Sequence, residues 1–72
     1  MSQTDIVREY LFAHPGERVP MTRLAEAMGG FAVHSRIAQL RKESGMIIVN
    51  HLEKAKDGKT HSFYEYRPHA NN

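Results

Sequence analysis

The chain has 72 residues, ten lysines and arginines against eight carboxylates for a formal charge of +2, and no cysteine. That length suits one small domain near the lower limit for burying a self-sufficient core, which argues against a multi-domain or large-pocket enzyme, and the missing cysteines exclude a disulfide framework and cysteine zinc fingers. No apolar run approaches the roughly 20 residues that span a bilayer, and the polar start from Met1 to Asp5 lacks signal-peptide features, so a soluble, cytoplasmic protein is expected.

In chain order, the first predicted helix starts at Ser2 or Thr4 and ends near Ala13. Ser2 and Asp5 have the capping-box spacing, and His14-Pro15-Gly16 stops the helix. Ile6, Val7, Tyr10 and Leu11 fall on one face at helical spacing and form the expected core stripe. Pro20 biases Val19 toward an extended conformation, so Arg18 and Val19 are read as a very short strand. A second helix follows, with Thr22 as N-cap, Leu24, Ala25 and Met28 facing inward, and Gly29 as its stop. Gly29 and Gly30 allow a sharp turn, after which Phe31 is expected to plug the corner between helices.

The third helix runs over about residues 32–44, with Val33, Ile37 and Leu40 as a narrow apolar seam. Its far side presents Ser35, Ala38, Gln39 and Lys42, flanked by His34, Arg36 and Arg41. Gly45 ends it. Two β-rich segments, MIIVNHLEK and HSFYEYR, then flank AKDGKT, in which Asp57-Gly58 is a hairpin signal. A two-residue turn there pairs Leu52 with Phe63 and Val49 with Tyr66 and leaves apolar residues on both faces, so the face that meets the helices stays open. Residues 68–72 are expected to fray, outside an ordered core of about residues 4–67.

Charge divides along the chain. Residues 1–33 hold three basic and four acidic groups, and residues 34–72 hold seven basic and four acidic groups. The positive half is the half with the third helix and the hairpin.

The order helix, short strand, helix, tight turn, helix, strand, basic turn, strand resembles the winged helix-turn-helix family over nearly the whole chain. Ser35-Arg36-Ile37 followed by Leu40-Arg41, running into Gly45 and a strand, is similar to the small winged-helix proteins of phages and mobile elements. The resemblance implies an α+β fold, a three-helix bundle with a C-terminal β-hairpin wing, as a single domain over residues 1–72. It also implies a DNA-binding transcriptional regulator or architectural factor, in the cytoplasm of a bacterial or phage-infected cell.

The chemistry of the residues agrees with those roles. An α-helix fits the major groove, and His34, Ser35, Ala38, Gln39 and Lys42 can bond base edges or touch a thymine methyl. Arg36 and Arg41 suit backbone phosphates, which fix orientation without reading sequence. In the hairpin turn, Lys54, Lys56, Lys59, Thr60 and His61 suit the adjacent backbone or minor groove. If about five cations met phosphates, log affinity would fall against log salt with a slope of roughly −4 to −5.

One module makes a small interface, so a homodimer or cooperative assembly on double-stranded DNA is expected. The five histidines show no pair at helical ligand spacing, and neither metal nor cofactor is expected. Nor does any serine, glycine pair or carboxylate cluster form a catalytic motif, so no enzyme activity or small-molecule substrate is expected. The competing reading is a winged-helix module that contacts and inhibits or adapts another protein without binding DNA, using Phe63, Tyr64 and Tyr66 as a docking surface.

Overall fold

The computed structural model describes residues 1–68. The fraying expected of residues 68–72 falls almost wholly outside them. The chain forms α1 (Gln3–Ala13), β1 (Val19–Pro20), α2 (Met21–Met28), α3 (Val33–Glu43), β2 (Ile48–Lys54) and β3 (Thr60–Tyr66). Three helices and a three-stranded antiparallel sheet of order β1-β3-β2 therefore make a small α+β fold.

Helix α1 begins where the capping residues dictate. The Ser2 hydroxyl accepts the Asp5 N–H at 3.1 Å and the Ser2 N–H donates to the Asp5 carboxylate at 3.2 Å, satisfying two donors that the first turn leaves free. Val7 and Leu11 are buried on its inner face, and Ile6 and Tyr10 cover the core edge. Beyond the helix, the Gly16 N–H donates to the Tyr66 carbonyl at 2.9 Å, which pins the α1–β1 turn to the sheet.

Helix α2 starts two residues earlier than expected for a Thr22 cap. Pro20 is its N-cap, at φ −59° and ψ 138°, and no side chain caps the first turn. The proline ring already holds the chain extended up to the helix, leaving Thr22 inside the first turn. At the other end Gly29 is left-handed at φ 69°, the Gly29 N–H bonds the Glu26 carbonyl, and the Gly30 N–H bonds the Ala25 carbonyl at 3.1 Å. This double bond closes the helix and turns the chain sharply toward α3.

The corner formed there is filled by Met28 and Val33, both buried. Phe31, expected to plug it, is instead 98% exposed. The glycine turn carries residue 31 outward before α3 begins, so the expectation is corrected. The core joins Val7 and Leu11 of α1, Leu24 and Met28 of α2, and Val33, Ile37 and Leu40 of α3 to Val19, Met46, Ile48 and Tyr64. Burying each large aliphatic side chain contributes about 1.5–3 kcal/mol. Among the described residues no helix is long and apolar enough to cross a membrane.

The hairpin register also differs from expectation. Val49 pairs with Glu65 and Leu52 with Ser62, one residue away from the pairing of a two-residue turn. The Gly58 N–H donates to the Ala55 carbonyl at 3.0 Å and the Ala55 N–H to the Lys59 carbonyl at 2.8 Å, with Gly58 at φ 85°. This is a three-residue loop in which glycine occupies a left-handed bulge position and shifts all the pairs behind it. The shift puts Ile48, Tyr64 and Tyr66 together on the side that covers the helices, and Val49, His51, Phe63 and Glu65 on the outer side.

Candidate nucleic-acid interface

Helix α3 is held between two supports. On the sheet side, the His34 Nδ1 hydrogen-bonds the Tyr64 hydroxyl, with the two rings nearly edge to face at 5.8 Å. One helix end further on, Arg41 Nε and Nη2 both donate to the Ile48 carbonyl, at 3.1 and 2.6 Å. These two contacts tie α3 to both strands of the hairpin, β3 through Tyr64 and β2 through Ile48.

On the α1 side a second set of bonds closes. Thr4, the one buried polar residue among those described, donates its hydroxyl to Gln39 Oε1 at 2.7 Å. Arg36 Nη1 donates to Gln39 Oε1 at 3.2 Å and to the Thr4 hydroxyl at 3.3 Å, and Gln39 Nε2 donates to Glu43 at 3.0 Å. Arg36 and Gln39 are thus turned into the α1–α3 seam, and Arg41 into the sheet.

Between the supports lies an open stripe made of Ser35, Ala38 and Lys42, all exposed. They recur at the spacing of one helix face. Of the side chains expected to read bases, these three share that stripe, His34 borders it on the hairpin side, and Gln39 is engaged elsewhere.

The hairpin carries a second set of exposed polar and basic side chains. Cross-strand pairing places Asn50, Leu52, Lys54, Thr60 and Ser62 on the side it shares with the buried Ile48 and Tyr64, the side that faces α3. His61 pairs with Glu53 on the opposite side, so the structure separates it from Lys54 and Thr60. Lys56 and Lys59 extend from the turn. Nearby acids are already occupied: Glu53 pairs with Arg18 at 3.1 Å, and the Asp57 carboxylate accepts the Lys59 N–H at 3.0 Å. Among the described residues no carboxylate reaches ion-pair distance of Lys42, Lys54, Lys56 or Lys59.

The outer side of the sheet has its own network. His51 Nε2 and Glu65 lie 2.7 Å apart, and Arg67 Nε bonds the same carboxylate at 3.1 Å. The Arg67 hydrogen bond, followed by that of His51, holds the Glu65 carboxyl below its ordinary value. Burial pushes the Tyr64 hydroxyl in the opposite direction, above its ordinary value. His51 faces Phe63 across the hairpin, and His61 faces Glu53. Among the described residues no three histidine, cysteine or carboxylate side chains come together as a metal site.

The sequence alone does not place Asn50, Leu52 and Ser62 at this surface, because the face they occupy depends on the register. The signal for that register lies in AKDGK itself, where a glycine after Lys-Asp suits the bulged three-residue loop. A further feature lies away from this surface. Exposed Phe31 borders an apolar groove of about 430 Å³ lined by Met21, Ala25, Gly29 and Val33, with Thr22 and Glu26 as its polar residues. Compared with protein-family models, curated proteins and solved structures, the chain finds no match.

Proposed function

We propose that the chain is a small winged helix-turn-helix DNA-binding protein that acts as a transcriptional regulator or architectural factor. Helix α3 enters the major groove with Ser35, Ala38 and Lys42 toward the bases and His34 at the edge. The β2–β3 hairpin is the wing, and its Lys54, Lys56 and Lys59 lie on the adjacent backbone or minor groove.

One observation carries this reading: α3 exposes Ser35, Ala38 and Lys42 on one face while Arg36, Gln39 and Arg41 are held by intramolecular bonds, and the lysines of the hairpin have no acidic partner among the described residues. A major groove accepts a helix with that face, and phosphates supply the missing counter-charge. Arg36 and Arg41 act as struts that set the angle of α3.

The test is fluorescence anisotropy of a labelled mixed-sequence duplex across a salt series. If Lys42, Lys54, Lys56 and Lys59 each meet a phosphate, the slope of log affinity against log salt is about −3.6, from about −0.9 per contact. Replacing the three hairpin lysines by alanine lowers the slope toward about −1 and leaves the melting temperature unchanged. A slope near zero for the unaltered protein refutes the reading.

A second reading, a module that contacts another protein, loses its expected docking surface, since Tyr64 is buried and Phe63 and Tyr66 are partly buried, and draws instead on Phe31 and its apolar groove. An exposed aromatic beside an apolar depression is a feature of protein-contact surfaces. In that case replacing Phe31 by serine abolishes capture of the partner, and the lysine replacements do not.

A further inference from the structure

The side of the hairpin that faces α3 changes character as it leaves the core. Ile48 and Tyr64 are buried beneath the helices, whereas Leu52, two positions beyond Asn50 on the same strand, is 69% exposed. Its directly opposed neighbour is Ser62, whose hydroxyl donates to Asn50 Oδ1 at 3.0 Å. That bond turns Asn50 and Ser62 toward each other, and Leu52 is left standing as the apolar side chain of an otherwise polar rung.

A lone exposed leucine is ordinary on a protein surface. The company of Leu52 sets it apart. Lys54 follows it on the same side, Lys56 and Lys59 lie just beyond in the turn, and none of the three has an acidic partner among the described residues. Glu53, the acid adjacent in sequence, points to the other face and is held by Arg18. An apolar side chain followed along the hairpin by cations without acidic partners among the described residues is complementary to a target with anionic rims and an apolar floor. The DNA minor groove has both: phosphates along its edges, and stacked base pairs that a leucine can part.

Resting on the DNA-binding reading above, we infer that Leu52 is a wedge that enters the minor groove beside the α3 site and kinks the duplex, while Lys54, Lys56 and Lys59 hold the flanking phosphates. Wedges of this kind bend DNA by about 20–90°. The chain would then act on DNA shape as well as on sequence.

The experiment uses the full chain and a mixed-sequence duplex of about two helical turns carrying donor and acceptor dyes at its ends. Energy transfer reports the bend and anisotropy reports affinity, for the unaltered protein, L52A and L52F. Because Leu52 is largely exposed, neither substitution should shift the melting temperature.

The expected result is higher energy transfer on binding by the unaltered protein and by L52F. L52A should bind within about threefold of the unaltered affinity, with most of the transfer increase lost. An L52A complex bent as strongly as the unaltered one overturns the wedge while leaving DNA binding intact. No anisotropy change with the unaltered protein overturns the DNA-binding reading itself. Should sedimentation show self-association that L52A removes, with a straight duplex in every complex, Leu52 belongs to a contact between copies and the wedge is overturned.

Discussion

By helical spacing in the sequence, Lys42 and Gln39 both fall on the face of α3 opposite its apolar seam, and sequence alone gives them the same part. The structure divides them. Gln39 is bonded to Thr4, Arg36 and Glu43, whereas Lys42 has no ion-pair partner among the described residues. Q39A should therefore cost about 1 kcal/mol of stability, the net worth of a partly buried hydrogen bond, with little change in duplex affinity. K42A should do the reverse, leaving the melting curve in place and reducing the salt slope by about 1. Chemical denaturation and anisotropy on the same two variants check this.

A pH effect follows at Glu65, again from its immediate contacts. Arg67 and then His51 hold its carboxyl below the ordinary value of 4.5. A carboxyl with a lowered folded pKa stabilises the protein above its unfolded value, and that contribution is lost as pH falls through the folded value. The unaltered protein should thus be more stable than E65Q near neutrality, and the gap should close as the solution is acidified below 4.5. Thermal melts of both proteins across that range measure it.

At the scale of elements, the three helices and their inner faces were legible because periodicity and end signals agree. Ser2 with Asp5 marks the start of α1, Gly29 marks the end of α2, and Val33, Ile37 and Leu40 recur on one face and are all buried. The hairpin was legible as an element but not in its register. Asp57-Gly58 suits either a two-residue turn or a bulged three-residue loop, and the choice exchanges the two faces of the sheet. The face that carries Leu52 and Lys54 could therefore not be read from the chain. Nor could the fate of Arg36, Gln39 and Arg41, since each is decided by a partner distant in sequence or by a backbone carbonyl. Phe31 was misplaced because the corner it was assigned to is already filled by Met28 and Val33.

The bulged loop makes its own prediction. An added Cβ at Gly58 would meet nothing within 4 Å, so the cost of G58A is purely that of placing alanine at φ 85°. This costs about 1–2 kcal/mol, and asparagine, which enters the left-handed region more readily, costs less. G58A should lower the melting temperature by several degrees and G58N by fewer. Equal effects would mean that steric contact rather than conformation governs the turn.

At the scale of the molecule, two surfaces compete as the functional one. One joins the open stripe of α3 to the basic hairpin, and the other centres on Phe31 and its groove. The first gathers lysines that have no acidic partner among the described residues, and the DNA-binding proposal rests on it. The helices serve that surface by fixing α3: α1 braces one flank through Thr4, and the sheet braces the other through Tyr64 and the Ile48 carbonyl.

The most direct measurement is an NMR titration of the isotope-labelled chain with a short mixed-sequence duplex at low and moderate salt. The account predicts salt-sensitive shifts confined to the amides of residues 34–42 and 50–62, with those of α1 and of the Phe31 groove unmoved. If the α3 and hairpin amides stay still at low salt, the basic surface is not a DNA footprint and the account is wrong.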